Sequence, residues 1–207
     1  MTETTYSAAW VPNDDPARTL DVAAELAAAW VLRQAETLGT KPVLATPTQA
    51  EWSAGPDIIR SLSKSWDTTT ERGTAPSEQQ RAVLAYVPTY RGLYRLLPCV
   101  RDGALAVVEL SPYFLSGWAM DSRAVNLVNG QTTPEAWTPA QRTLLEDIDR
   151  YGNNGWAPGF DAEGAARLLP QLIADGVDQN VILGFMVARG HDETSVERLA
   201  SIIGRLA

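Results

Sequence analysis

The sequence predicts an α+β fold: N-terminal helices on a mostly antiparallel sheet of four or five strands, followed by a C-terminal helical bundle. Three observations carry this. Arg81–Leu110 holds three apolar runs, Ala82–Val87, Leu93–Val100 and Ala104–Leu110, separated by Pro88–Gly92 and Arg101-Asp102-Gly103. Asp-Gly between apolar runs is a hairpin signal, because both residues tolerate positive φ. After Gln131 the pattern changes to capped helical segments. The expected division is an α+β domain over 1–133 with a helical subdomain over 134–207 packed on it. A parallel β-α-β start, Val43–Thr46 to Ala82–Val87, is the alternative, since a helix separates those two strands.

Residues 1–13 read as an irregular lead-in, with Tyr6, Trp10 and Val11 pinned to the body. Asp15 as N-cap, Pro16 at the first helical position and Gly39 beyond the end mark the first helix. Leu20, Ala23, Ala27, Trp30, Val31 and Leu38 recur along it at helical spacing. Pro42–Thr46 is a short strand. A brief turn around Thr48–Glu51 leads to a helix from Pro56 to about Asp67, with Ile58, Ile59, Leu62 and Trp66 on one face. Residues 67–80 are polar and read as a long loop, a lid or a mobile segment.

The three apolar runs then form a meander. Pro98 cannot donate a ladder hydrogen bond, so the middle run requires a bulge or an edge position. Ser111–Met120 is aromatic (Tyr113, Phe114, Trp118) and reads as a short helix starting at Pro112. Ala124–Val128 is a further short strand ended by Asn129-Gly130. Thr138-Pro139-Ala140-Gln141 is a capping box opening a helix to about Tyr151. A turn-rich loop follows over 152–159. Asp161 and Asp178 cap two more helices, the first interrupted by Pro170. Thr194–Glu197 opens the last.

Composition bounds the function. The 207 residues carry 25 acidic and 17 basic side chains, a formal net charge of −8. Sequence-independent nucleic-acid binding needs a basic footprint, and an anionic membrane repels such a chain. Residues 134–207 hold 11 acidic and 6 basic residues, so the last two helices lack the basic face of a DNA reader. Fifteen Arg against two Lys, with abundant Ala, point to a GC-rich genome, actinobacterial or from a phage of such a host. A single cysteine excludes an intrachain disulfide, the stretch from Met1 to Pro16 has neither the basic nor the apolar region of a signal peptide, and no apolar run spans a bilayer, so a cytoplasmic location is expected.

Motifs for chemistry are sparse. One Cys (Cys99) and one His (His191) give too few ligands for a structural zinc site, so no metal is expected. No nucleotide-cradling glycine loop occurs, and no cofactor is expected. His191 is first a helix-end residue and Cys99 a small core hydrophobe. Glu109 stands out as an acid in an apolar run; facing the core, its pKa rises and suits it to proton transfer. A carboxylate enzyme acting on a small polar metabolite would use Glu109 and Asp121 with Arg91 and Arg95. The leading expectation is a non-enzymatic module that binds a protein partner or assembles as a homo-oligomer. Seven Trp support it, with Trp52, Trp118, Trp137, Tyr151 and Trp156 as candidate binding residues. The order YVP…LP…DG…VVEL…W…LVNG resembles small α+β interaction domains of the SseB type. That likeness implies an α+β fold and assigns no residue a role.

Overall fold

The computed structural model describes residues 5–74, 79–111 and 114–206. They form an α/β fold, which corrects the expected α+β one. The strands are β1 (Ser7–Val11), β2 (Val43–Thr46), β3 (Asp67–Thr70), β4 (Ala82–Tyr86), β5 (Ala104–Val108), β6 (Val125–Asn126) and β7 (Gln131–Thr132). They make one seven-stranded sheet in the order β3-β2-β4-β5-β1-β6-β7. Every pairing is parallel except the β6–β7 hairpin.

The helices are α1 (Leu20–Leu38), α2 (Glu51–Ala54), α3 (Asp57–Ser65), α4 (Tyr90–Leu96), α5 (Ser116–Asp121), α6 (Pro139–Tyr151), α7 (Phe160–Ala174), α8 (Gln179–Ala188) and α9 (Glu193–Gly204). Every residue of β4 and β5 is buried, as parallel strands covered on both faces require. Side chains alternate between two cores. Ala9, Val11, Leu44, Leu84, Ala106 and Val108 face α1 and α3. Trp10, Val43, Val83, Ala85, Leu105 and Val107 face the layer holding α4 to α9. The C-terminal helices therefore share a core with the sheet.

Right-handed crossovers place opposite directions of travel on opposite faces. The leftward steps, β1 to β2 through α1 and β2 to β3 through α3, lie on one face. The rightward steps, β4 to β5 through α4 and β5 to β6 through α5, lie on the other. The α1 crossover passes over β5 and β4. Its buried Ala23, Ala24, Ala27 and Ala28 let the helix lie close to them.

Several local expectations change. The middle run of the supposed meander is not a strand. The Thr89 side chain caps α4 by accepting from Gly92 N, and Leu93, Leu96 and Val100 reach the core at helical spacing. Pro98 lies after the helix and breaks no ladder. Asp102 takes φ +57° and makes its turn, but between α4 and a parallel strand. The lead-in contains β1, between β5 and β6. The start of the 67–80 loop is β3, held at the sheet edge by pairing with β2; residues 75–78 lie outside the described residues. So do Pro112 and Tyr113, and α5 starts at Ser116. Thr19, not Asp15, caps α1, and Gly159, not Asp161, precedes α7. The capping box at Thr138 and the cap at Asp178 are present as read. Asp192 rather than Thr194 caps α9.

Candidate functional site

In doubly wound sheets, ligands sit beyond the carboxyl ends of the strands, where neighbouring strands send their chains to opposite faces. This sheet has two such places. One lies between β1, which leaves towards α1, and β5, which leaves towards α5. The other lies between β2, which leaves towards α2 and α3, and β4, which leaves towards α4.

The first crevice is bridged by Glu109, the residue after β5. Its Oε1 accepts from Asn13 N at 3.1 Å, beyond β1, and its Oε2 accepts from Leu115 N at 2.7 Å, before α5. The side chain is buried. Burial pushes its carboxyl above the usual glutamate range, and the two backbone donors pull it back. A raised folded-state pKa means that the folded protein holds this proton more tightly than the unfolded chain. The stability it contributes is therefore fully present at low pH and falls as pH rises from the ordinary glutamate range through the raised value. Glu109→Gln offers one acceptor oxygen to two donors. We expect it to cost about 1–3 kcal/mol in urea denaturation and to flatten that part of the stability–pH profile. An unchanged profile would place the slope on another group.

The second crevice is filled in a parallel way. Glu71 Oε1 accepts from Thr89 N at 3.0 Å. Gly92 makes room, since a Cβ there would stand 2.5 Å from that oxygen. Arg95 donates to the carbonyl oxygens of Glu71 and Gly73 and so fixes the segment after β3. What remains between Thr46, Thr69, Pro88 and Leu96 is a cavity of about 20 Å³, room for a single water. Val87, at the end of β4, takes φ +43°, a strained conformation for a β-branched residue.

The four acid and base candidates do not share a site. Glu109 and Arg95 sit in separate crevices. Arg91 is half-exposed and faces Glu193 of α9 at 3.9 Å. Asp121 ends α5 in the helical layer, where Arg142 and Arg189 hold it at 2.9 Å each. Cys99 is buried, and burial pushes its thiol up to about 11, which suits a core residue.

The candidate binding residues lie in this protomer's own packing. Trp118 is fully buried and donates to the Tyr6 hydroxyl at 3.1 Å. Trp156 is buried, donates to Ile148 O at 3.0 Å and packs on the His191 ring. His191 Nε2 in turn meets Asp149 Oδ1 at 2.7 Å, joining α6 to the turn before α9. Trp52 is half-buried and donates to Thr46 Oγ1 at 2.9 Å. Trp137 is half-buried with its ring edge-on to Phe185, and Tyr151 meets Phe160 edge-on. Trp10, Trp30 and Trp66 are buried. Tryptophan content thus reports core packing here, and no exposed cluster forms from Trp52, Trp118 and Trp137.

The Trp137 N–H is buried and has no acceptor among the described residues. Trp137→Phe removes that cost along with some apolar area and should stay within about 1 kcal/mol of wild type. Trp156→Phe removes a made hydrogen bond, leaving the Ile148 carbonyl only the Gly152 N–H, and should cost about 1 kcal/mol more. Equal thermal melts for the two variants would contradict this contrast.

Sequence reasoning missed Glu71, Arg142, Arg189 and Phe185. Glu71 lay in a stretch read as a polar loop; the signal was Gly92 together with Arg95 on what is a helix, not a strand. Among the described residues, no group of three or more His, Cys, Asp or Glu is placed to hold a metal ion. No described helix is long and apolar enough to cross a membrane. No protein-family model, curated protein or solved structure matches the chain.

Proposed function

We propose that this chain is a non-enzymatic protein-binding or assembly module. One observation supports the reading above others: the two positions where this fold class takes small ligands hold the chain's own carboxylates. Glu109 and Glu71 each accept backbone N–H groups there, and the space left beside Glu71 is about 20 Å³. The larger concavities, about 350 and 490 Å³, lie away from these crevices, on the helical layer and at the opposite edge of the sheet. A net charge of −8 favours a protein partner, or a second copy, over nucleic acid or an anionic membrane. A cytoplasmic location, in a GC-rich bacterium or its phage, belongs to the same proposal.

A second reading has its own support. A buried Glu109 with a raised pKa and a strained Val87 both lie at the carboxyl edge of the sheet, as in an enzyme whose carboxylate moves a proton. Light scattering on the purified protein, beside a thermal-shift screen of small polar metabolites, separates the two. A defined oligomer with no metabolite shift supports the module. A monomer stabilised by a metabolite, with the shift lost in Glu109→Gln, overturns it.

A further inference from the structure

Phe160 opens α7 and is 73% exposed, more than any other large apolar side chain among the described residues. Its ring rests edge-on against Tyr151 at 5.6 Å between centroids, so it is held outward. Directly beside it is a concavity of about 350 Å³ between the start of α7 and α9. Trp156 and Ile202, both buried, form the floor, Gly159 and Ala162 the near rim, and Arg198 and Arg205 the far wall. A projecting phenyl ring and an apolar-floored groove wide enough for one lie side by side on one face.

The charges on this face are arranged in the same way. Asp161 and Glu163 flank Phe160 in the first turn of α7. Arg198 and Arg205 stand across the groove. None of these four forms an ion pair among the described residues; Arg198 donates weakly to Gly155 O at 3.3 Å and Asp161 accepts from Asn154 at 3.3 Å. A two-fold axis passing between knob and groove would set each Phe160 into the other copy's groove. It would also set each acidic turn against the other copy's basic wall. Such a contact is self-complementary, as closed dimers require. It gives two molecules of net charge −8 a local attraction that their overall charge opposes.

We propose that the α7/α9 face is a self-association surface whose occupant is a second copy of this chain. The proposal rests on the assembly reading above and specifies its surface. The test is sedimentation velocity on the full chain over a wide concentration range, with circular dichroism confirming that each variant is folded. Wild type should dimerise, and Phe160→Ala should weaken the dimer at least about 30-fold, as loss of a central aromatic does. Arg205→Glu and Glu163→Arg should each weaken it, and the two together in one chain should restore most of the affinity. A wild type that stays monomeric throughout overturns the proposal and leaves the module reading with a heterologous partner. A dimer insensitive to Phe160→Ala also overturns it, and places assembly on another face. Sensitivity to Phe160 without rescue by the charge exchange overturns the two-fold register.

Discussion

Asp121→Ala should cost about 3–5 kcal/mol, the penalty for leaving a buried charge without its partner. Asp121 Oδ1 accepts from Arg142 Nη1 at 2.9 Å and from Arg189 Nη2 at 3.0 Å, and Oδ2 lies 2.9 Å from Arg189 Nε. The Arg189 and Asp121 side chains are almost wholly buried, and Phe185 lies under both guanidiniums. Arg142 keeps Glu135 and Glu146 when Asp121 is removed, so the loss falls on Arg189. Arg189→Met in the Asp121→Ala background should therefore recover most of it. Urea denaturation measures both. A loss below about 1 kcal/mol would mean that the pair contributes no more than a surface ion pair does.

Gly117→Ala should be comparably severe, about 3 kcal/mol or more, because α5 and α8 cross backbone to backbone at Gly117. A Cβ there would overlap the Val181 carbonyl oxygen and stand 2.8 Å from Phe185 N. Gly184, on the facing helix, leaves only 3.0 Å between its own Cβ position and Trp118 N. Neither neighbour is a flexible side-chain tip, so the helices must separate, and the fully buried Trp118 loses its packing with them. Gly204→Ala is the matched control. Nothing lies within 4 Å of its Cβ position, and the change should be neutral or stabilising by up to about 1 kcal/mol. Equal melting temperatures for the two alanine variants would show that the α5–α8 crossing yields more easily than its geometry indicates.

The helical half of this fold was readable because its signals are local. Thr138 with Gln141, Asp178 and the left-handed Gly190 act within one turn of themselves. The sheet was not, because its signals are not local. β1, Ser-Ala-Ala-Trp-Val, carries two alanines where strand propensity favours branched side chains, and nothing beside it in sequence pairs with it. The continuous apolar character of β4 and β5 is that of strands buried on both faces, which is the mark of a parallel sheet. The Asp102-Gly103 turn has the composition of a hairpin turn, and the apolar run of α4 is short enough to pass for a strand. Glu109 was legible as an acid inside an apolar run. Its two backbone donors were not, because Asn13 lies almost half the chain away. The Asp121 pair with Arg189 joins α5 to the end of α8 and leaves no trace in spacing.

The place of β1 also sets an order of events during synthesis. Ser7 lies opposite Ala104 and Ala9 opposite Val125, so β1 has no partner until β5 has left the ribosome, after β2, β3 and β4. Until then Trp10 and Val11 remain outside any sheet, while β2, β3 and β4 can already associate. Contacts of such long sequence separation slow folding, since a large loop must close before they form. A nascent chain arrested before β5 therefore exposes an apolar N-terminal segment and the unpaired edge of β4. Both are features that holding chaperones recognise, and β1 can enter the sheet only after β5 has been made.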